Sequence, residues 1–197
     1  MLSLKSSLKY ILFNCFVIFF KNIINMKGLI KLNLINKIYR DKEFMSIASS
    51  ILNHSEFIKT KSIVHHGNTR YNHSLKVSYL AYKLSKITGA DMVSAIRGGA
   101  LHDFFLVRDD KNILTSTKML IEHPTIAKNN AIKYFNVNEK EQNIIESHMF
   151  PVSKIIPKFK ESWLVTIADK IVAITEGAMH AKAQVGVWML FIINFVR

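Results

Sequence analysis

A histidine and an aspartate stand side by side at His102 and Asp103, in the otherwise apolar, small-residue stretch RGGALHDFFL at residues 97–106. Neighbouring residues on a helix point about 100° apart, so one apolar face cannot easily hide both side chains. Burying an imidazole and a carboxylate without partners costs on the order of several kcal/mol. The pair therefore predicts either a local hydrogen-bonded arrangement or a shared ligand.

Two more ionisable residues lie on segments with an apolar helical pattern. His73 shares one helix face with Val77 and Leu80, and Asp169 lies in the middle of the strongly apolar segment ESWLVTIADKIVAITEG. Each has an ordinary alternative, as a satisfied core histidine or as a partner of Lys170. A single divalent cation would satisfy both of them together with the adjacent pair. Two imidazoles and two carboxylates suit Fe, Mn, Co, Ni or Zn and leave room for water.

The order YNHS…LHDF…IADK resembles the HD-domain metal-dependent phosphohydrolases, whose pattern is H…HD…D on a helical bundle. The resemblance covers residues 60–178, with 29 residues from His73 to His102 and 66 from Asp103 to Asp169. It implies an all-α, HD-domain helical bundle in which these four residues bind a metal. It also implies hydrolysis of a phosphate ester or anhydride in a nucleotide-like substrate, by attack of a metal-activated water. His102 and Asp103 are then the catalytic residues.

Two further histidines lie between the HD pair and Asp169, in EHPTIA and IIESHMFP. Some branches of the family carry two histidines there that bind a second metal, as in symmetrical diadenosine tetraphosphate hydrolases and HD-GYP phosphodiesterases. The resemblance therefore implies that His123 and His148 are metal or substrate ligands, within a site for one or two ions of Fe, Mn, Co, Ni, Zn or Mg. The alternative is a pair of helix-end histidines that bind backbone. The Gly-Tyr-Pro signature is missing, which argues against cyclic di-GMP.

Substrate binding must offset phosphate charge, and three residues are predicted to contribute. Arg70 lies three residues before His73, about one helical turn, and is placed to reach a phosphate. Lys170 resembles the frequent Asp-Lys pairing of the family. His66, in the glycine-containing loop VHHGNTR, is a candidate substrate contact or leaving-group acid, with a solvent-exposed loop residue as the alternative.

The rest of the chain reads as a succession of helices from about residue 43, with no alternating strands. Asp91 is placed to cap a helix that carries the paired glycines Gly98 and Gly99. Two glycines cost that helix about 1 kcal/mol each in propensity. They are best explained if another helix or a ligand approaches closely there.

Two helix starts are predicted in the second half of the chain. Pro124 suits a first helical turn, which places His123 at or just before a helix N-terminus. Asn138 and Glu141 have the spacing of a capping box, and the helix that they begin should end near His148, before Pro151.

The chain divides into an apolar and basic N-terminal leader, residues 1–40, and an HD-type domain, residues 41–197. The uninterrupted apolar stretch Tyr10–Phe20 is eleven residues, shorter than the roughly 20 that cross a bilayer. A translated leader with Met26 as an alternative start, a membrane anchor through residues 10–25, and a packed helix all stay open. The apolar run at 187–196 is interpreted as a core helix.

Charge and cysteine content bound the partners and the compartment. The formal net charge is +13, of which residues 1–61 contribute +7 from ten basic and three acidic residues. The mild basicity of the remainder favours a phosphorylated small molecule over nucleic acid, because no compact basic run has interleaved aromatics. Cys15 is the single cysteine, which fits a cytoplasmic protein and excludes a cysteine-based zinc cluster. The oligomeric state stays open, and a non-catalytic metal-binding or membrane-surface module is the alternative function.

Overall fold

The computed structural model describes residues 33–65, 68–106 and 113–177 of the 197-residue chain. These described residues are all-α, as predicted, with one antiparallel ribbon of two-residue strands. The elements in chain order are α1 (Asn33–Arg40), α2 (Lys42–Leu52), α3 (Ser55–Ile58), a 3-10 turn (Lys59–Ser62), β1 (Val64–His65), β2 (Asn68–Thr69), α4 (Arg70–Thr88), α5 (Met92–Leu101), α6 (Ile113–Phe135), α7 (Glu139–Ser147) and α8 (Lys160–Thr175).

Two helices begin at the capping residues that the sequence predicts. The Asp91 side chain accepts a hydrogen bond from the Ser94 amide at the start of α5. Asn138 and Glu141 form a complete capping box at the start of α7. These two predicted helix starts are confirmed. Helix α4 ends at Gly89, which has a φ of +65° and therefore lies in the left-handed region that glycine adopts without strain.

The prediction that Pro124 begins a helix, with His123 at its N-terminus, is wrong. Pro124 lies inside α6, which starts at Ile113. An interior proline lacks the N–H for one helical hydrogen bond and costs about 3 kcal/mol or more. Tertiary packing outweighs this cost, because Ala127 and Ala131 are fully buried and lie on the same face as the buried His123.

The larger core cluster joins the N-terminal helices to the centre of the bundle. Ile38 of α1 and Phe44 of α2 pack with Tyr79, Ile96 and other buried residues of α4 and α5. A second cluster joins α4, α5, α7 and α8. Helix α1 thus packs on the bundle, while the predicted domain boundary at residue 40 stays a prediction.

The paired glycines bring three helices into close approach, as predicted. A Cβ on Gly99 would lie 2.9 Å from Cα of Ser78 in α4, and a Cβ on Gly98 would lie 2.5 Å from Cγ2 of Ile144 in α7. Only a residue without a side chain fits at these two crossings. The C-terminal end of α5 therefore lies directly against α4 and α7.

Several predictions concern segments outside the described residues. These are the leader through residue 32, the membrane association through residues 10–25, and the core helix at 187–196. Within the described part of the chain, no helix is long and apolar enough to cross a membrane.

The two glycine crossings should respond differently to substitution. We expect Gly99→Ala to lower the free energy of unfolding by about 1–3 kcal/mol, because the new methyl group meets backbone of Ser78. Combining it with Ser78→Ala should leave that loss unchanged. In contrast, Ile144→Ala should recover part of the loss caused by Gly98→Ala, because the obstacle there is a side chain. Urea unfolding of the single and double variants measures both couplings, and a recovery by Ser78→Ala would contradict the backbone contact.

Candidate metal centre

Six buried histidine and aspartate side chains meet between helices α4 to α8. Among the described residues, two triads offer ligand atoms within 4.8 Å of one another, and His102 belongs to both. The remaining histidine, His123, lies beside the second triad. The fold therefore brings together all the metal ligands that the sequence predicts, namely His73, His102, Asp103, His123, His148 and Asp169.

Two of the imidazoles are oriented by the ends of helices. His102 follows the last residue of α5 and His148 follows the last residue of α7. The last carbonyls of a helix have no intrahelical partner, and each imidazole donates Nδ1–H to one of them. The distances are 2.8 Å from His102 to the Gly99 carbonyl and 2.7 Å from His148 to the Ile145 carbonyl. In the neutral ring, Nε2 then carries a lone pair that faces the cluster.

His123 repeats this arrangement from the middle of α6. Its Nδ1 donates to the Met119 carbonyl at 2.9 Å, and its Nε2 lies 3.0 Å from Nε2 of His148. Burial and the neighbouring imidazoles His102 and His123 lower the pKa of His148 well below its usual range, so this ring is neutral. Because both Nδ1 atoms donate to carbonyls, the two Nε2 atoms can hydrogen-bond to each other only when one ring carries a second proton. A cation beside them provides the partner that both need.

Asp103 supplies negative charge at the same point. Its Oδ1 lies 3.3 Å from Nε2 of His123 and 3.6 Å from Nε2 of His148, and its Oδ2 lies 3.8 Å from Nε2 of His102. Burial raises the pKa of Asp103, but the positive charge that His102 and His123 carry when protonated outweighs it and holds the pKa well below the usual range. The group is therefore a carboxylate, which is the form that binds a metal.

Two buried atoms of the cluster, one of His102 and one of Asp103, indicate that a metal ion fits this site. Nε2 of His102 and Oδ1 of Asp103 have no hydrogen-bond partner within the described ranges. Leaving a buried polar atom unsatisfied costs about 1–3 kcal/mol, and more for a charged group. An imidazole lone pair and a carboxylate oxygen are both ligand atoms for divalent cations, so the residues present fit such an ion.

His73 and Asp169 form the other end of the cluster. Nε2 of His73 lies 3.0 Å from Oδ1 of Asp169, and the second oxygen of Asp169 accepts a hydrogen bond from Lys170 Nζ at 2.8 Å. Burial alone would raise the pKa of Asp169, but the Lys170 ammonium and the imidazoles of His102 and His73 hold it well below the usual range. Oδ1 lies 3.6 Å from Nε2 of His102, which connects the two ends.

The sequence does not predict the other partner of His73, which is Glu176. Oε2 of Glu176 lies 2.8 Å from Nδ1 of His73. Burial lowers the pKa of His73, but the hydrogen bonds to Asp169 and Glu176 outweigh it and raise the pKa to about 10. Glu176 is the C-cap residue of α8 and lies seven residues after Asp169, a spacing of about two helical turns that places both on the same side of the helix. That spacing is the signal that could have identified it.

The predicted substrate-binding residues have different surroundings. The fully buried Arg70 donates from Nη1 to the Phe105 carbonyl at 2.8 Å, and its guanidinium carbon lies 3.6 Å from the centre of the Phe105 ring. Lys170 is also buried and, besides binding Asp169, donates to the His148 carbonyl at 3.0 Å. His66 lies outside the described residues. Contact of these three residues with substrate stays a prediction.

A protein family model described as HD domain matches residues 70–174, more than half of the 197 residues. Among curated proteins, "Ribonuclease Y" of Treponema pallidum (strain Nichols) is 34% identical over 113 residues, which cover 57% of this chain and 20% of that protein. "Ribonuclease Y" of Finegoldia magna (strain ATCC 29328 / DSM 20472 / WAL 2508) is 34% identical over 136 residues, 66% of this chain and 24% of that protein.

The chain thus spans about a fifth to a quarter of the length of these curated relatives. No solved structure matches it at a significant level. The matched family region begins with Arg70 and ends at residue 174, and all six clustered histidines and aspartates lie inside it.

The raised pKa of His73 predicts a pH dependence of stability in protein stripped of metal by a chelator. The folded-state pKa is about 10 and the unfolded value about 6.5, so the stabilisation is complete below pH 6.5 and is lost above pH 10. Between these limits the free energy of unfolding should fall by up to about 1.4 kcal/mol per pH unit. Urea unfolding at constant ionic strength measures the slope. In His73→Gln the free energy of unfolding should fall less steeply with pH, because the contribution of His73 is removed. Equal slopes in the variant and the wild-type protein would contradict the raised pKa of His73.

Proposed function

Because the chain belongs to the HD-domain family, we propose that it is a metal-dependent phosphohydrolase. The observation that carries the proposal is the cluster of six buried ligand residues, in which His102 and Asp103 each have an atom without a hydrogen-bond partner in the described part of the chain. A non-catalytic HD module is the alternative, and it would be expected to have lost some of these ligands. None of the six has been replaced.

The ligand atoms of the cluster support a site for two ions. An imidazole Nε2 has one lone pair, so His102 binds one ion only, whereas the two oxygens of Asp103 face different histidines. We propose one ion held by His73, His102, Asp103 and Asp169. A second ion is then held by His123, His148 and the other oxygen of Asp103. Mixed nitrogen and oxygen ligands suit Fe, Mn, Co, Ni or Zn, while Mg prefers oxygen.

A bound divalent cation polarises a phosphoryl oxygen and acidifies a coordinated water, which is the chemistry that phosphate hydrolysis requires. The protein contributes orientation and charge. His102 and Asp103 are the proposed catalytic residues. The carboxylate of Asp103 lies between the histidines and supplies the negative charge. Lys170 neutralises the outward oxygen of Asp169, so that the inward oxygen stays directed at His73 and His102. Most of these side chains are fixed by a second hydrogen bond, which limits reorganisation during the reaction.

The substrate proposed here is a phosphodiester, with RNA as the first candidate. Both curated relatives are ribonucleases by name, and this favours a polynucleotide over the nucleotide-like small molecule that the family resemblance implies. The chain covers only a fifth to a quarter of those proteins, so their substrate is not transferred as a property of this chain. A nucleotide ester or anhydride is the second candidate, which the resemblance to dinucleotide hydrolases favours. Arg70 and the buried Lys170 are the proposed sources of positive charge for the phosphate.

Removing a proposed ligand should abolish both metal binding and turnover. We expect His102→Ala and Asp103→Ala to lose more than about 100-fold in metal affinity, since even the residues that support metal ligands contribute 10–100-fold. Elemental analysis and phosphodiesterase assays measure the two effects. His54→Ala and Asp91→Ala are matched controls, because these residues cap α3 and α5 and should retain metal. Unchanged metal content in either ligand variant would contradict the site.

A substrate panel separates the candidates. Single-stranded RNA, DNA of the same sequence, diadenosine tetraphosphate and p-nitrophenyl phosphate should be assayed with Mn, Fe, Co, Ni and Mg. We expect RNA to be hydrolysed fastest, with His102→Ala as the inactive control for contaminating nuclease. Faster hydrolysis of the dinucleotide would favour the second candidate. No turnover with any metal would favour the non-catalytic module.

A further inference from the structure

We propose that Glu176 is a positioning residue that holds His73 in its metal-binding orientation. The proposal rests on the metal centre proposed above and extends it by one residue, which lies just beyond the matched family region that ends at residue 174. The Glu176 carboxylate contacts Nδ1 of His73, while the other ring nitrogen, Nε2, faces Asp169 and the cluster.

The Glu176 carboxylate is buried and binds three donors. Its side chain is 5% exposed. Oε2 lies 2.8 Å from Nδ1 of His73, while Oε1 accepts from Lys76 Nζ at 2.8 Å and from Asn68 Nδ2 at 2.7 Å. One oxygen is thus dedicated to the imidazole, and the other is held by two donors from β2 and α4. Lys76 and Asn68 therefore hold the Glu176 carboxylate in place independently of its contact with His73.

His73 needs such a partner because of its place in the chain. The other three clustered histidines donate Nδ1–H to a backbone carbonyl of their own helix, two of them at helix C-termini, where carbonyls lack partners. His73 lies in the first turn of α4, so the residues one turn before it lie at the start of the helix or at its N-cap, Thr69. Its Nδ1 instead meets a side-chain acceptor, the carboxylate of Glu176.

The two nitrogens of His73 are bound from the same helix. Asp169 meets Nε2 and Glu176 meets Nδ1, two turns apart on α8. Holding Nδ1–H on a carboxylate leaves Nε2 as the ligand atom and raises its basicity. Helix α8 therefore supplies one metal ligand directly, Asp169, and positions a second, His73.

The test compares Glu176→Ala and Glu176→Gln with the wild-type protein. Chelator competition with Zn²⁺ or Mn²⁺ gives the dissociation constant of each. We expect Glu176→Ala to bind 10–100-fold more weakly. Glu176→Gln should lie between the two, because a neutral amide oxygen is a weaker acceptor than a carboxylate. Glu43→Ala is the matched control, since Glu43 is a half-exposed carboxylate that pairs with Lys86, and it should bind as wild type.

A spectroscopic readout distinguishes positioning from a general loss of stability. In ¹⁵N-labelled protein, the Nδ1 proton of His73 should be protected from exchange with water in the wild type. It should exchange rapidly in Glu176→Ala while the backbone spectrum away from the site is retained. This proton is observable with or without metal. If Glu176→Ala does not fold, metal affinity and Nδ1 proton exchange are both measured on Glu176→Gln, which keeps the side-chain volume.

The outcomes separate this proposal from the metal site itself. A metal affinity and a His73 proton exchange rate equal to wild type in the Glu176 variants would overturn the positioning role and leave the metal site standing. Absence of metal binding in the wild-type protein would overturn the metal site, and the positioning role with it. Weaker binding in the Glu176 variants together with faster Nδ1 proton exchange would support it.

Discussion

Imidazole nitrogens that carry lone pairs cannot stabilise one another, and this constraint dominates the centre of the protein. His102, His123 and His148 each donate Nδ1–H to a backbone carbonyl, so each presents Nε2 to a common buried point beside Asp103. The approach of two Nε2 atoms to 3.0 Å is favourable only when a proton or a cation lies between them. A divalent cation would serve several of these inward atoms at once, because an imidazole lone pair and a carboxylate oxygen are both metal ligand atoms.

The helical framework follows from the need to bring these groups together. Gly98 and Gly99 allow α5 to lie against α7 and α4, and the close contact places His102 next to residues of both helices. The C-terminal ends of α5 and α7 both approach the cluster and orient it, because their carbonyls accept hydrogen bonds from the histidines that follow them. Helix α8 closes the cluster with Asp169, and its charge is balanced by the adjacent Lys170. Buried histidines and aspartates without partners would destabilise an ordinary core. Here they are grouped together, so that one bound cation can offset the cost of burying them.

Some of this arrangement was predictable from the sequence, and some was not. Helical periodicity and the H…HD…D order identified four of the six clustered residues, and capping rules located Asp91 and Asn138, because these signals are local. His123 and His148 were predicted from the resemblance to family branches that carry two further histidines. The place of His123 was wrong, because a proline rule describes intrinsic propensity and tertiary packing kept α6 continuous through Pro124. Glu176 was missed because its role depends on where the end of α8 meets α4, a contact that no local pattern encodes. Its spacing from Asp169 becomes informative only when His73 is known to lie between them.

Anomalous X-ray diffraction from crystals of the metal-loaded protein tests the central claim most directly. The account predicts two anomalous peaks inside the cluster, one of them about 2.0–2.2 Å from Nε2 of His102 and from an oxygen of Asp103. The second peak should contact His123 and His148, and a single peak would reject the two-ion proposal. Data collected on both sides of the absorption edge identify the element. An absence of peaks in this cluster, or metal bound only elsewhere on the protein, would contradict the account.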